Sequence, residues 1–369
     1  MQVPLLDLKR QWRTIRDQAL TNVVQVLDEQ ACVLGPRVAE FEKAVARYTG
    51  VPHAIGCASG TDALLIGLRA LGVQKGEEVI TTPYTFFASA GAVVNAKGRP
   101  VFVDIERDSF NIDARQIESA ITPRTRVIQP VHLYGQCADM DAINAIAKKH
   151  GIAVLEDAAQ SLGAEDKGRR AGSMSDIGAF SFYPSKNLGG VGDGGMMCTK
   201  DAALDARLRS LRTHGGVNRY FHDEVGWNSR LDALQVAVLQ VKLPLLDAWS
   251  EARARNARFY DEALKGVAGV VTPRALPGKR HIYNQYMIRA ERRDQLQEFL
   301  GKQGIGTAVY YPLSLHEQKC FADLGYKQGQ FPESERACKE NLSIPVNPEL
   351  TDDERGFVAT KIREFHGAK

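Results

Sequence analysis

Lys186 closes the run Ile177-Gly-Ala-Phe-Ser-Phe-Tyr-Pro-Ser-Lys186 and is followed by Asn187-Leu-Gly-Gly. An apolar strand that stops at a small hydroxyl residue and a proline, then offers one lysine ahead of glycines, suits a lysine that forms a Schiff base with a carbonyl cofactor. Most lysines are solvated charges, so the neighbours decide. Ile152-Ala-Val-Leu-Glu-Asp157-Ala-Ala-Gln160 reads as a buried parallel strand ending in acid and amide side chains. In a doubly wound sheet, ligands sit at the carboxyl ends of the strands. Asp157 is therefore expected to face a bound ring, with Gln160 about one helical turn further on.

In His53-Ala-Ile-Gly-Cys-Ala-Ser59-Gly60-Thr61-Asp62 a short strand gives way to a helix. Free backbone amides, the positive end of the helix dipole and two hydroxyls converge there on an anion site suited to a phosphate. An ordinary N-cap uses the same residue types, so this element carries weight only in company. Ile80-Thr-Thr-Pro83-Tyr-Thr-Phe86-Phe87 is another strand leaving through a proline, here into an aromatic pair. Paired aromatics usually pack cores, yet one at a strand end on the ligand side can lie flat on a heteroaromatic ring. An amine, a carboxylate, an anion cradle and an aromatic plate are the four demands of pyridoxal 5'-phosphate. A carboxylate beside the pyridinium keeps the ring an electron sink, and such a pair is worth on the order of 4 kcal/mol at about 4 Å in an effective dielectric of roughly 20.

With these residues in place, the chain resembles the DegT/StrS family of nucleotide-sugar aminotransferases, fold type I pyridoxal phosphate enzymes. The matching stretches are Leu34-Gly-Pro36, Ser59-Gly-Thr-Asp62, Thr82-Pro-Tyr-Thr-Phe86, Val131-His-Leu-Tyr-Gly135, Glu156-Asp-Ala-Ala-Gln160, Ser181-Phe-Tyr-Pro-Ser-Lys186, Gly192-Asp-Gly-Gly195, Asn228-Ser-Arg230 and Tyr310-Tyr-Pro312. The resemblance implies that Lys186 tethers the cofactor and shuttles a proton, that Asp157 pairs with the pyridinium, that Gln160 bonds the ring hydroxyl and that Phe86 stacks on the ring. It implies a phosphate site of Ser59, Gly60, Thr61 and Ser181, helped by Asn228 from a second subunit, and hence a homodimer with shared active sites. Tyr183, Arg230, Tyr310, Tyr311 and His316 are the implied substrate side. Family members with histidine in place of the lysine are dehydratases, so Lys186 favours transamination. Phe86 departs mildly from the tryptophan or tyrosine usual at its place. The implied reaction moves the amino group of L-glutamate to a nucleotide-linked ketosugar, a 3-keto hexose or hexuronate ahead of a 4-keto sugar. Two rivals stay open: a regulator that binds the cofactor or a sugar nucleotide without turnover, and a plain nucleotide-binding module.

The elements that must position these residues follow from pattern. Apolar runs near His53–Cys57, Glu78–Thr81, Pro100–Asp104, Arg126–Pro130, Ala153–Asp157, Ile177–Ser181 and Gly195–Cys198 alternate with helical text such as Ile143, Ile146 and Ala147 before the stop at Gly151. This predicts an α/β fold, a mostly parallel sheet sandwiched by helices. Helical text continues from Ser229 to about 246 and from Ala248 to about 264, with Pro244 as a kink or hinge into a second lobe. Beyond 265 a strand over Asn284–Ala290, a helix over Arg292–Gln303, a strand over Thr307–Tyr310 and a closing helix over Thr351–His366 predict a smaller α+β domain. The expected division is a cofactor-binding domain, aspartate-aminotransferase-like by the resemblance, over 1–246 and a C-terminal domain over 247–369.

Composition narrows the partners. The 47 basic and 44 acidic residues of the 369 leave a net charge of +3, with no concentrated basic face for nucleic acid and no attraction to a membrane surface. Six scattered cysteines without CxxC spacing predict neither zinc nor disulfides and fit a reducing cytoplasm. Met1–Asp7 lacks the pattern of a secretory signal, and no run approaches the ~18 apolar residues of a membrane span. Gly189-Gly-Val-Gly-Asp-Gly-Gly195 lacks the Walker lysine and opens no helix, so it reads as a connection that lets the lysine loop pack. His132, at a strand end, reads as a core or orienting histidine, and His214, His222 and His316 are too isolated for a metal site.

Overall fold

A computed structural model describes all residues except 217, 219 and 369. Seven strands, β1 His53–Cys57, β2 Glu78–Thr81, β3 Arg99–Phe102, β4 Thr125–Ile128, β5 Ala153–Asp157, β6 Ile177–Ser181 and β7 Gly195–Thr199, form one sheet in the order β1-β7-β6-β5-β4-β2-β3. Strands β2 to β6 pair in parallel, while β7 runs antiparallel between β1 and β6. Successive residues of each strand enter two different cores. Val154 and Phe180 face a core with Phe41, Val45 and Val236, whereas Leu155, Ile177 and Ala179 face one with Leu64, Leu68 and Val93. Burial on both faces is why these strands read as unbroken apolar runs, each large side chain contributing roughly 1.5–3 kcal/mol.

Local signals set the helix ends. Helix Gly60–Ala70 is capped by Ser59, whose hydroxyl accepts from the Asp62 amide at 3.0 Å. Helix Met140–His150 stops where Gly151 turns left-handed at φ 65°. Pro244 lies in a 3-10 turn, Leu243–Leu245, that joins helix Ala233–Lys242 to helix Leu246–Ala263. Helices Leu8–Glu29 and Gly35–Thr49, which the reading from residue 53 onward leaves out, pack on helix Ala233–Lys242.

A third core, with Tyr260, Leu296 and Ile344, underlies the antiparallel sheet of β8 Val270–Val271, β9 Tyr286–Ala290 and β10 Asn341–Ile344. Val3 bridges to Ile305 and belongs to this third core, so the first residues pack with the C-terminal lobe. Two expected elements are corrected here. Among the described residues Thr307–Tyr310 makes only the single bridge Ala308–Ser343, because the chain then leaves the edge of β10 for the large sheet, where the Leu315 amide meets the Pro83 carbonyl. The helix expected from Ser229 starts at Ala233: the Ser229 hydroxyl is drawn to Asp62, and Asp232 bridges to Val33, which holds the intervening residues extended. Among the described residues no helix is long and apolar enough to cross a membrane, and no group of three metal-ligating side chains could hold an ion.

Candidate active site

At the end of β5, adjacent acids turn to opposite faces, as strand geometry requires. Glu156 is completely buried and accepts from the amides of Gly172 and Met174 at 2.7 Å each, from the Ser175 hydroxyl at 2.8 Å and from His132 Nε2 at 2.8 Å. Burial alone would raise its carboxyl, but these donors outweigh it and the net direction is down. His132 Nδ1 accepts from the Ala138 amide at 3.1 Å, which fixes the neutral tautomer with the proton on Nε2. His132 is thus the orienting core residue that its position suggested.

Asp157 is also buried but has fewer partners, the Ser89 hydroxyl at 2.7 Å and the Ala159 amide at 3.3 Å. Burial pushes its carboxyl up, against those two bonds and the attraction of Lys186. Lys186, in the turn after β6, is held by its backbone amide to the Tyr183 carbonyl at 2.8 Å, and its ammonium has no hydrogen-bond partner among the described residues. Burial lowers it to about 8, with Asp157 acting in the opposite sense. The site therefore pairs an under-compensated acid with an amine that gives up its proton easily, an arrangement typical of functional sites.

Two side chains that sequence reasoning missed support the lysine loop from behind. Gln235 accepts from the Val191 amide at 2.8 Å, and Lys242, two turns further along the same helix, donates to the Gly189 carbonyl at 2.6 Å. Glycines let this loop close. A Cβ on Gly189 would lie 2.2 Å from the Pro184 carbonyl oxygen, and one on Gly195 would lie 2.3 Å from that of Ser59. The residues had a findable signal, since positions seven apart share one helix face, but nothing in the sequence says that this face meets residues 189–191.

The cradle forms where β1 meets its helix. Gly60 abuts Ser181, since a Cβ there would lie 2.6 Å from the Ser181 Cβ. The amides of Gly60 and Thr61, in the first turn, have no acceptor within the helix. Gln160 sits in a turn, not a helix. Its amide oxygen takes the Tyr134 amide at 2.7 Å and its amide nitrogen donates to the Tyr311 hydroxyl at 3.1 Å. Phe86 is 56% exposed and tilts against Tyr311, ring centres 6.2 Å apart.

Of the expected substrate side, Tyr310 and Tyr311 come in from the small lobe beside Gln160, and Tyr183 stands exposed after β6. Arg230 is half-buried and Asn228 exposed, flanking Ser229, which is buried and bonded to Asp62 at 2.6 Å. His316 is corrected: it is buried, its ring nitrogens lie 2.9 Å from the Ser314 hydroxyl and 3.2 Å from Glu335, and it packs on Phe331. Both nitrogens are committed to the interior, because the turn that carries it is tied by the Leu315 amide to the Pro83 carbonyl.

Comparison with known proteins agrees with this geometry. The profile of the DegT/DnrJ/EryC1/StrS aminotransferase family matches residues 13–363. A UDP-N-acetyl-3-dehydro-alpha-D-glucosamine 3-aminotransferase of Acidithiobacillus ferrooxidans is 44% identical over 99% of this chain and 98% of its own. A protein of Geobacillus stearothermophilus named pleiotropic regulatory protein is 49% identical, covering 99% of both chains. The crystal structure of DesV of S. venezuelae, in complex with a ketimine intermediate, superposes with a TM-score of 0.98 at 40% identity, covering 100% of this chain and 99% of that one. With the fold, the strand-end acid and lysine, and a family match over nearly its whole length, this chain belongs to the DegT/DnrJ/EryC1/StrS aminotransferase family.

Proposed function

We propose that this aminotransferase works with pyridoxal 5'-phosphate, taking the amino group of L-glutamate and passing it to a nucleotide-linked ketosugar, with a 3-keto hexose or hexuronate ahead of a 4-keto sugar. The observation that carries the reading is the buried Asp157 carboxyl, short of donors, on the same side of the sheet ends as the unpaired Lys186 amine. The residues suit the cofactor. Asp157 is compensated by a cationic ring nitrogen, Gly60, Thr61 and Ser181 offer donors to a phosphate, and the spare amide proton of Gln160 can reach a ring hydroxyl. Bound there, the cofactor supplies a carbonyl for amine exchange and an electron-accepting ring.

The chain's own residues do the rest. Lys186 Nζ, lowered to about 8 in the free protein, would hold the cofactor and, once freed by the incoming amine, would carry a proton from the α-carbon of glutamate to the cofactor's imine carbon and, in the second half, from there to the former keto carbon of the sugar. Ser59 caps the cradle helix, Phe86 covers the ring, and Tyr183, Arg230, Tyr310 and Tyr311 face the sugar nucleotide, Arg230 suiting a carboxylate or a phosphate. Asn228 serves the site of a second subunit in a homodimer. The same reading divides the chain into 1–246 and 247–369, with Val3 lent to the second unit, and places the protein in the cytoplasm. The 3-keto preference rests on the substrate in the name of the Acidithiobacillus relative.

The regulatory name of the Geobacillus relative favours one second reading, a sensor that binds the cofactor without turnover. One experiment separates them. Purified protein reconstituted with pyridoxal phosphate is expected to show a visible band that glutamate abolishes, and a ketosugar from a UDP- and dTDP-linked panel restores it with a product of the amino-sugar mass. Lys186→Ala is expected to show no such band. A wild type that stays colourless after reconstitution sinks the cofactor assignment, and one whose band ignores glutamate favours the sensor.

A further inference from the structure

The stretch Val131-His-Leu-Tyr-Gly135 has no part in the reaction as described, yet it is built into the site. Val131 bridges to Asp157 as an extension of β4 beside β5, and Tyr134 then turns left-handed at φ 58°. A bulky side chain is rarely held at positive φ unless its surroundings over-determine it. Those surroundings are specific. The Tyr134 amide donates to the Gln160 amide oxygen at 2.7 Å, and the Tyr134 carbonyl accepts from the Asn284 amide at 2.9 Å. The Tyr134 phenol, fully enclosed beside Phe110, donates to the carbonyl oxygen of Tyr310. That same carbonyl takes a second bond, 2.5 Å long, from the Tyr84 hydroxyl, whose oxygen accepts in turn from Asn341 at 2.7 Å. Both lone pairs of the Tyr310 carbonyl are thus engaged, and each phenol donates its single proton once. The neighbouring Tyr311 hydroxyl returns to Gln160 at 3.1 Å.

We propose that Tyr134 is a positioning residue that sets two sides of the site from one point, orienting Gln160 through its backbone and clamping the Tyr310–Tyr311 segment, jointly with Tyr84, through its phenol. The substrate-facing part of this statement rests on the function proposed above; the clamp itself does not. A left-handed turn at Tyr134 is what aims the amide at Gln160 and the phenol at the small-lobe segment at once. The chain's two lobes are therefore registered to each other at the place where the ring-side amide and the sugar-side tyrosines meet.

Tyr134→Phe removes the phenol's bond to the Tyr310 carbonyl and its 2.9 Å contact with the Tyr84 hydroxyl and keeps the amide, the ring and the fold of the turn; Tyr84→Phe removes the partner bond and the same contact from a residue with ordinary backbone. Hydrogen exchange in the protein without cofactor reads the clamp directly. The amides of Ala308 and Leu315, bonded to the carbonyls of Ser343 and Pro83 on either side of the Tyr310 segment, are expected to exchange about 10-fold faster in both variants, the equilibrium counterpart of one net hydrogen bond. Amides of β1 and β7 are expected to be unchanged. In the loaded enzyme the glutamate half-reaction stays within about twofold, since Gln160 keeps its amide donor, while KM for the acceptor sugar rises about 10-fold. Unchanged exchange at Ala308 and Leu315 overturns the clamp whatever the activity. Equal slowing of both half-reactions assigns Tyr134 a merely structural role and overturns its selectivity for the sugar side. A wild type without amino transfer would remove the proposed function and leave the exchange result to judge the clamp.

Discussion

At Lys186, burial and charge pull in opposite directions, and burial wins. With the amine lowered to about 8, about a tenth of it is unprotonated at pH 7, whereas an ordinary lysine, with a pKa of about 10.4, would be almost wholly charged there. Only the free amine attacks an aldehyde, so the rate at which the cofactor-free protein captures pyridoxal phosphate is expected to rise with pH and level off above about 8. Asp157 holds the lysine pKa up, so Asp157→Asn is expected to move that plateau to lower pH while turnover falls through loss of the ring's counter-ion. Borohydride trapping and mass analysis measure the captured fraction; a wild-type curve still climbing at pH 10 contradicts the assignment. Glu156, next in line but facing the other way, obeys the opposite logic. Its carboxyl is depressed below 4.5 in the folded protein, so its contribution is present above that value and lost as pH falls through the folded one. Glu156→Gln is expected to cost about 3 kcal/mol at pH 7, since an amide cannot accept from all the donors that converge on the carboxylate and leaves some of them unsatisfied, and to flatten the acid limb of stability. Urea titrations from pH 3 to 7 provide the check.

The helix Gly60–Ala70 matters to the site through its first turn alone. Gly60 is not held at positive φ, so its small size answers to a neighbour and not to the backbone: an added Cβ meets Ser181 Cβ at 2.6 Å. Gly60→Ala must open the cradle between helix and β6, and overpacking of that kind costs about 1–3 kcal/mol. Pyridoxal phosphate is expected to bind roughly 10- to 100-fold more weakly to this variant, and the thermal midpoint of the cofactor-free protein is expected to fall by a few degrees, as a strained contact inside the fold requires. Fluorescence titration tests it, and wild-type affinity would place the phosphate elsewhere. The helix Ala233–Lys242 acts in the same supporting way, through Gln235 and Lys242 beneath the lysine loop.

Over the whole molecule, a single chain leaves large apolar side chains exposed at the site, Phe86 at 56% and Tyr183 at 55%, and in the segment that leads to Asn228, Phe221 at 69% and Val225 at 87%. Exposed apolar side chains of this size suit an interaction surface, which supports the proposed homodimer. If Asn228 serves the neighbour's site, refolding a mixture of Lys186→Ala and Asn228→Ala chains is expected to give more activity than either variant alone. The mixed dimer then contains one site with an intact lysine from one chain and an intact asparagine from the other. No gain on mixing would return Asn228 to its own chain's site.

The strands from His53 to Cys198 were legible because a sheet covered on both faces writes itself as short apolar runs, and the strand-end residues Asp157, Lys186, Ser59 and Gly60 followed from where ligands meet such sheets. Local chemistry alone, a cap at Ser59 and a stop at Gly151, placed the helices between them. The remainder depended on contacts far apart in sequence. His316 stands on the substrate side by resemblance until Ser314 and Glu335 are folded around it, Ser229 reads as helical until Asp62 holds it extended, and Tyr134 is one letter of a matching stretch until Tyr310 and Gln160 converge on it. A repeating pattern records which face of an element is buried; which polar atoms meet there is a matter of three-dimensional distance, decided within each lobe for Ser229 and His316 and between the lobes for Tyr134 and Tyr310.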